Sequence, residues 1–277
     1  MNASRPEAYI IRGGKKGRQR LGILSRILAA STNSLLDRVG SIAGAQIIDI
    51  GCGGGDVALE LARRAGPQGH VWGYDLDTKI LALARGEAEE AGQGNVTFDE
   101  VDIAGTWPRR SASIIYARFI LTHVPDPAAV VARAWKALSP GGTMIVEDID
   151  MEGRFWDPPA AALTRMTELY MEAARRRGCD PTIGRRLVRL LGHAGFENVQ
   201  STLVQPFGRD GDVKELAKLD FANIADAIVS LGLMGRSEAD ALAAQVNAYA
   251  ERPDTTISLP RLFQVVARKS ASSSANR

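Results

Sequence analysis

Residues 45–55, Ala45-Gln46-Ile47-Ile48-Asp49-Ile50-Gly51-Cys52-Gly53-Gly54-Gly55, decide how the chain is read. The first six are apolar and β-branched apart from Gln46 and Asp49, which predicts a buried strand. That strand runs into four glycines within five residues. Residues 57–65 then carry an apolar helical pattern, with Gly66 placed to stop it. Glycine in such a turn permits positive φ and lets a ligand approach the backbone. The helix that follows would aim free amide groups and its positive dipole end at a polar or anionic group.

The same alternation continues outward. Strands are predicted at 71–76, 96–103, 114–119 and 143–149, and helices at 78–91 and from Asp126-Pro127 to Leu138. Asp126 can cap free amides, and Pro127 suits a first helical turn. Ser139-Pro140-Gly141-Gly142 ends that helix. Strand and helix in alternation predict an α/β fold, a mostly parallel sheet with helices on both faces and a ligand site at the strands' carboxyl ends. Beyond Asp150 the pattern changes. Helices are predicted at 160–177, 184–194, 212–231 and 238–251, and strands at 198–206 and 259–267. With an apolar helix at 21–39, this divides the chain into an N-terminal helical cap (1–40), a Rossmann-like core (41–150), and the rest of the sheet with a helical lid inserted at about 155–194 and 209–252 (151–269). A disordered tail (270–277) follows.

Composition narrows the function classes. The 277 residues are 45% hydrophobic and 24% charged, with a formal net charge of +2, too small to argue for a nucleic-acid or membrane partner. The basic clusters at 12–20 and 175–177 read as solvated faces. Two cysteines, Cys52 and Cys179, form neither a disulfide framework nor a metal-ligand spacing and suit a reducing, cytoplasmic setting. No secretory leader or membrane span is predicted.

Three acids stand at three successive strand ends beside the glycine turn. Asp49 would accept hydrogen bonds from loop amides or a ligand ammonium. Asp75 would accept both hydroxyl protons of a ribose. Asp102 would accept from an adenine amino group while Ile103 offers its backbone N–H. Asp77 reads as a helix cap. A nicotinamide-binding turn also begins Gly-x-Gly, but it requires a small residue where this chain has Asp56. The chain also lacks a Tyr-x-x-x-Lys pair.

Asp49-Ile50-Gly51-Cys52-Gly53-Gly54-Gly55, Gly73-Tyr74-Asp75, Val101-Asp102-Ile103 and Leu138-Ser139-Pro140-Gly141-Gly142 together resemble the motif series of class I S-adenosylmethionine (SAM)-dependent methyltransferases. The resemblance spans about residues 45–150 and is weaker at Ala194-Gly195-Phe196. It is closest to the small-metabolite branch, including the ubiquinone and menaquinone type. It implies a seven-stranded sheet whose last strand is antiparallel. It also implies that Asp49, Gly51, Cys52 and Gly53 hold the methionine end of SAM, that Asp75 and Leu76 take the ribose and adenine, that Asp102 and Ile103 read the adenine edge, and that Arg118 and Phe119 contact the methionine portion.

Methyl transfer is an in-line displacement, for which alignment can supply about 7–11 kcal/mol in favourable cases. An O, N or C acceptor atom on a small molecule would be methylated, with removal of its proton where needed. His123, whose ordinary pKa suits base work near neutral pH, and Asp148 are the candidate catalytic residues. Glu147, Phe155, Trp156 and Tyr170 are candidates for the acceptor pocket, with Met166. The acids Glu147, Asp148 and Asp150 would polarise the acceptor rather than hold a cation, so no metal is expected. A monomer or homodimer is expected. The competing readings are an NAD(P)-dependent oxidoreductase and a catalytically silent SAM-fold binding module.

Overall fold

The structure, a computed structural model, describes residues 14–271. Residues 1–13 of the sequence-predicted N-terminal cap, and tail residues 272–277, lie outside them. The described residues open with α1 (Gly14–Val39), about two turns longer at its start than the apolar pattern at 21–39 indicates. The core then runs β1 (Gln46–Ile50), α2 (Asp56–Ala65), β2 (His70–Asp75), α3 (Thr78–Glu90), β3 (Val96–Glu100), β4 (Ala112–Arg118), α4 (Pro127–Ala137) and β5 (Leu138–Asp150). After it come β6 (Trp156–Asp157), α5 (Ala161–Arg176), α6 (Leu187–His193), β7 (Glu197–Val204), β8 (Phe207–Gly208), α7 (Gly211–Ser230), α8 (Arg236–Glu251), β9 (Thr256–Ser258) and β10 (Arg261–Arg268).

Local chemistry sets many of these bounds. The Asp77 carboxylate accepts from the amides of Lys79 and Ile80 and starts α3. Asp126 accepts from the Ala129 amide at 2.9 Å, with Pro127 in the first turn of α4. Gly66 ends α2 with φ 66°. Each cap satisfies an amide or turns the chain where the helix can no longer satisfy itself.

The main sheet has the order β3-β2-β1-β4-β5-β10-β7. All neighbouring pairs from β3 through β5 are parallel; β10 lies antiparallel to β5 and to β7. The chain winds outward from β1 to β3, then returns to begin again at β4. The β1/β4 boundary is therefore the switch point at which the loops diverge and leave a crevice.

Several predicted features differ. β3 ends at Glu100, so Asp102 and Ile103 stand in the turn beyond it rather than on the strand. β5 begins at Leu138 and passes through Ser139-Pro140-Gly141-Gly142, because Leu138 pairs with Ala112 before the register shifts. The helix predicted at 184–194 is a 3-10 turn, Ile183–Arg186, followed by α6. A second sheet, β6-β9-β8, was not foreseen; strands of two or three residues are too short to show a period.

Two apolar clusters cover the faces of the main sheet, one around Ile48, Ile115 and Val131, the other around Ile47, Leu61 and Tyr116. A third joins α1, α5, α7 and α8 through Leu28, Leu163, Phe221 and Val246. These helices thus form a body of their own, resting on the strand ends through Ile149 and Leu262.

The fully buried Glu147 carboxylate pins that body to the sheet. Thr32 of α1 donates to its Oε1 at 2.9 Å, the Tyr116 hydroxyl of β4 donates to the same oxygen, and Gln264 of β10 donates to Oε2 at 2.8 Å. Glu147→Ala strands these donors in a dry interior and is expected to cost about 3 kcal/mol. Urea denaturation with an unchanged m-value would show it; a loss within a few tenths of a kcal/mol would not fit.

Candidate active site

The glycine turn hangs on one carbonyl. The amides of Gly51 and Cys52 both donate to Tyr74 O, at 2.8 and 3.0 Å. Gly51 has φ 68°, and a Cβ there would overlap the Ile120 side chain. Gly55 has φ 83°, and a Cβ would stand 2.9 Å from the Phe98 ring. Both positions thus exclude a side chain on conformational and steric grounds. Arg18 crosses the turn and ion-pairs with Asp56 at 3.0 Å and Glu87 at 2.6 Å. Asp56, anomalous for a dinucleotide turn, is where α1 is clamped to α2 and α3.

A cavity of about 940 Å³ opens between the carboxyl ends of β1–β4 and the helices α1, α5 and α7. Every residue that the sequence singled out for the cofactor lines it: Asp49, Gly51, Cys52, Gly53, Asp75, Leu76, Asp102, Ile103, Arg118 and Phe119. Asp75 shapes the turn as well as facing the cavity, because its Oδ2 accepts the Gly53 amide at 2.9 Å and its Oδ1 the Asp77 amide at 3.0 Å. Burial, partly offset by these bonds, raises its pKa. Asp102 is exposed and accepts the Ala104 amide at 2.9 Å, which holds the turn over the cavity rim. Phe119 takes a left-handed φ of 55°, held by its amide bond to Glu147 O at 2.9 Å. Such backbone in a non-glycine residue is strained and clusters at functional sites. Burial pushes the Cys52 thiol well up, so it stays protonated.

Asp49 leaves a buried polar atom unsatisfied in the cavity wall. It is 2% exposed, and its Oδ2 is sealed from water with no hydrogen-bond partner. Burial pushes its carboxyl up to about 8 against the opposing pull of Arg118.

The acceptor-side expectations divide. Tyr170 and Met166 line the cavity, and so does His123. Burial, and then the Arg20 charge, hold His123 down to about 3, so it is neutral throughout the range where a base of ordinary histidine pKa would titrate. Asp148 is placed elsewhere: it is fully buried outside the cavity wall, its Oδ2 accepts the Thr122 amide at 3.1 Å, and burial raises it to about 7. It shapes the 120–123 turn from behind. Glu147 is likewise withdrawn into the network described above. Asp150 is taken by Arg185 at 2.6 Å and Arg261 at 2.8 Å. The three acids therefore face three different neighbourhoods. Phe155 is exposed and packs on Phe207, while Trp156 pairs with Ile257 in the small sheet; neither lines the cavity.

The methyltransferase domain family profile matches residues 42–191, more than half of the chain. The chain belongs to the methyltransferase domain family. Among curated relatives of this methyltransferase domain, a ubiquinone biosynthesis O-methyltransferase of Paracidovorax citrulli is 33% identical over 121 residues, 43% of this chain and 50% of that protein. An uncharacterized 37.1 kDa protein in transposon TN4556 of Streptomyces fradiae is 32% identical over 58% of this chain and 46% of that one. The chain spans about half the length of these relatives. In fold, it is similar to a putative methyltransferase from Bacillus halodurans, at TM-score 0.56 and 18% identity over 86% of this chain and 98% of that one. It is also similar to the Haemonchus contortus phosphoethanolamine N-methyltransferase 2, solved with phosphomonomethylethanolamine and S-adenosylhomocysteine. That match has TM-score 0.57 and 17% identity over 91% of this chain and 58% of that one.

Several cavity-wall residues escaped sequence reasoning: Ile120, Arg154, Arg177, Asp220 and Asn223. On α7 the spacing of 216, 220, 223 and 227 was visible, but no motif said which face meets a cavity. The basic clusters also divide. Arg18 and Arg20 are largely buried ion-pair members, and Arg177 lines the cavity, whereas Arg175 and Arg176 are exposed. Asp49 yields a pH test. Its folded pKa lies above its unfolded value, so ionisation destabilises the fold, and its stabilising contribution falls as pH rises from about 4 to 8. The stability difference between Asp49→Asn and the native chain should grow in favour of the variant over that window and level off above it. Chemical denaturation at stepped pH reads this; a difference flat from pH 4 to 8 contradicts the assignment.

Proposed function

We propose that this chain transfers the methyl group of SAM to an O, N or C atom of a small-molecule acceptor. The orphaned Asp49 carboxylate oxygen carries the reading. A sealed, unpartnered acid in a cavity wall is costly unless a cation or donor meets it. The ammonium of an amino-acid moiety fits that donor need, and the positive-φ glycines beside it leave room for close approach. Family membership and the motif series point the same way.

In this reading Asp49 and the turn at Gly51–Gly53 hold the methionine end, with Arg118 and Phe119 across from it. Asp75 accepts the ribose hydroxyls, and Leu76 with Ile103 flanks the adenine beside Asp102. SAM when bound supplies an activated methyl group on a good leaving group. The chain's own part is alignment and exclusion of water. The α1, α5 and α7 helices cover the acceptor side as a lid. His123, held neutral, serves as a hydrogen-bonding wall group rather than a base titrating near neutral pH. Withdrawn Asp148 acts by holding the turn that carries His123. The protein would work in the cytoplasm as a monomer or homodimer.

Calorimetry tests the reading. S-adenosylhomocysteine should bind and NAD should not; the reverse order would refute it. Asp75→Ala should weaken S-adenosylhomocysteine by about 1–3 kcal/mol, the scale of a polar partner left unpaired. Because an ammonium favours ionised Asp49, binding at pH 7 should release protons, seen as heats that change with the buffer's ionisation enthalpy. Buffer-independent heats would remove Asp49 from the ammonium role.

A further inference from the structure

Charged groups line both sides of the cavity. The strand-end side carries the acids Asp49, Asp75 and Asp102 together with Arg118. The opposite side is walled by α1, α5, α7 and the segment after β5. There, α7 turns Leu216, Asp220, Asn223, Ala227 and Ser230 toward the space at helical spacing. Both acids on this side have cationic partners, Asp220 with Arg20 at 2.6 Å and Asp226 with Arg236 at 2.7 Å.

Two guanidinium groups on this side have no such partner among the described residues. Arg154 lines the cavity, and its only side-chain hydrogen bond among the described residues is a long one, 3.4 Å from Nε to Ser258 O. Burial lowers its pKa, with Asp220 partly compensating. Arg177 lines the cavity and, among the described residues, makes no salt bridge and keeps a buried Nη1 without a partner. Its chain neighbours supply an internal control: Arg175 reaches Glu152 at 3.8 Å and Arg176 reaches Glu172 at 2.9 Å. Asn223 adds an amide that is 4% exposed, lines the cavity, and makes no side-chain hydrogen bond among the described residues. A guanidinium carries five donors and an amide two. Leaving them unmade in a closed wall is costly unless a ligand completes them. The surrounding wall is apolar, with Met151, Met166, Tyr170 and Ile224.

We propose that the acceptor is an organic anion, an apolar or aromatic body bearing a carboxylate or phosphate, whose charged group is bound by Arg177 and Arg154 with the Asn223 amide beside them. This inference rests on the methyltransferase reading for the word acceptor, but the anion site itself does not depend on it. Guanidinium-to-oxyanion bonds are charge-assisted, directional and stronger than neutral ones. They would orient the acceptor from its far end and leave its body against the apolar wall.

The probes are 2-naphthoate, 2-naphthyl phosphate and the neutral 2-naphthamide, titrated by calorimetry into the free and the S-adenosylhomocysteine-loaded protein. At least one anion should bind about tenfold tighter than the amide, and which one does so separates carboxylate from phosphate recognition. Arg177→Met and Arg154→Met should each abolish most of that preference while leaving S-adenosylhomocysteine affinity unchanged. In the free protein, Arg177→Met should hold or raise the melting temperature, because an uncompensated cation is removed. A lowered melting temperature would make Arg177 a structural group and overturn the inference. So would an amide bound as well as the anions, or no anion bound at millimolar concentration. Normal S-adenosylhomocysteine binding without anion preference defeats this inference alone. Anion preference without S-adenosylhomocysteine binding defeats the methyltransferase reading and leaves the anion site standing.

Discussion

Glu147 is a charged residue on the central strand β5, buried beyond the reach of water. A carboxylate in that position persists only if its lone pairs are filled, and the three donors that fill them come from α1, β4 and β10. The last of these lies far along the chain from the first. The network therefore fixes where α1 crosses the sheet and how β10 seats against β5. Gln264 extends it outward, accepting from Arg38 at 3.2 Å and Thr202 at 3.1 Å. If α1 were placed otherwise, one wall of the cavity would be lost.

From that seat α1 does two further things. Arg18 clamps it across the glycine turn, and Arg20 ties it to Asp220 of α7. One helix thus borders both the strand-end side of the cavity and the side walled by α7. Such partly buried ion pairs contribute more to placement than to net stability, because desolvation offsets much of their attraction. The effect is a covered cavity that carries, among the described residues, an unpartnered Asp49 carboxylate oxygen at the strand ends and an unpartnered Arg177 Nη1 under the helices.

The acids at the end of β5 show how position along a strand separates roles. Glu147 and Asp148 are adjacent, so their side chains leave opposite faces of the sheet. One meets α1 and β10; the other meets the amides of the 120–123 turn. Neither reaches the cavity, although both stand near its edge in sequence. Burial without a cationic partner raises Asp148 to about 7, while backbone amides keep it hydrogen-bonded. His123 sits on the turn that Asp148 supports, and its neutrality follows from the same dry surroundings.

By itself the sequence determined the sheet's parallel core, the glycine turn and the strand-end wall of the cavity. Those features are local: apolar runs of period two, helices stopped by Gly66 and Gly92, caps at Asp77 and Asp126, and acids that fall just after successive strands. In a doubly wound sheet, strand ends all open toward one edge, so residues adjacent to strand ends in the chain converge in space. Tertiary structure alone decided the side of the cavity walled by the helices. Whether Glu147 or Arg177 faces a cavity depends on which helix from a distant segment packs beside it, and no spacing records that. The small β6-β9-β8 sheet likewise joins pieces too short and too separated to announce their pairing. The ionisation states followed the same rule: the shifts at Asp49 and His123 come from burial by the assembled helices and sheet, which no single stretch of chain can show.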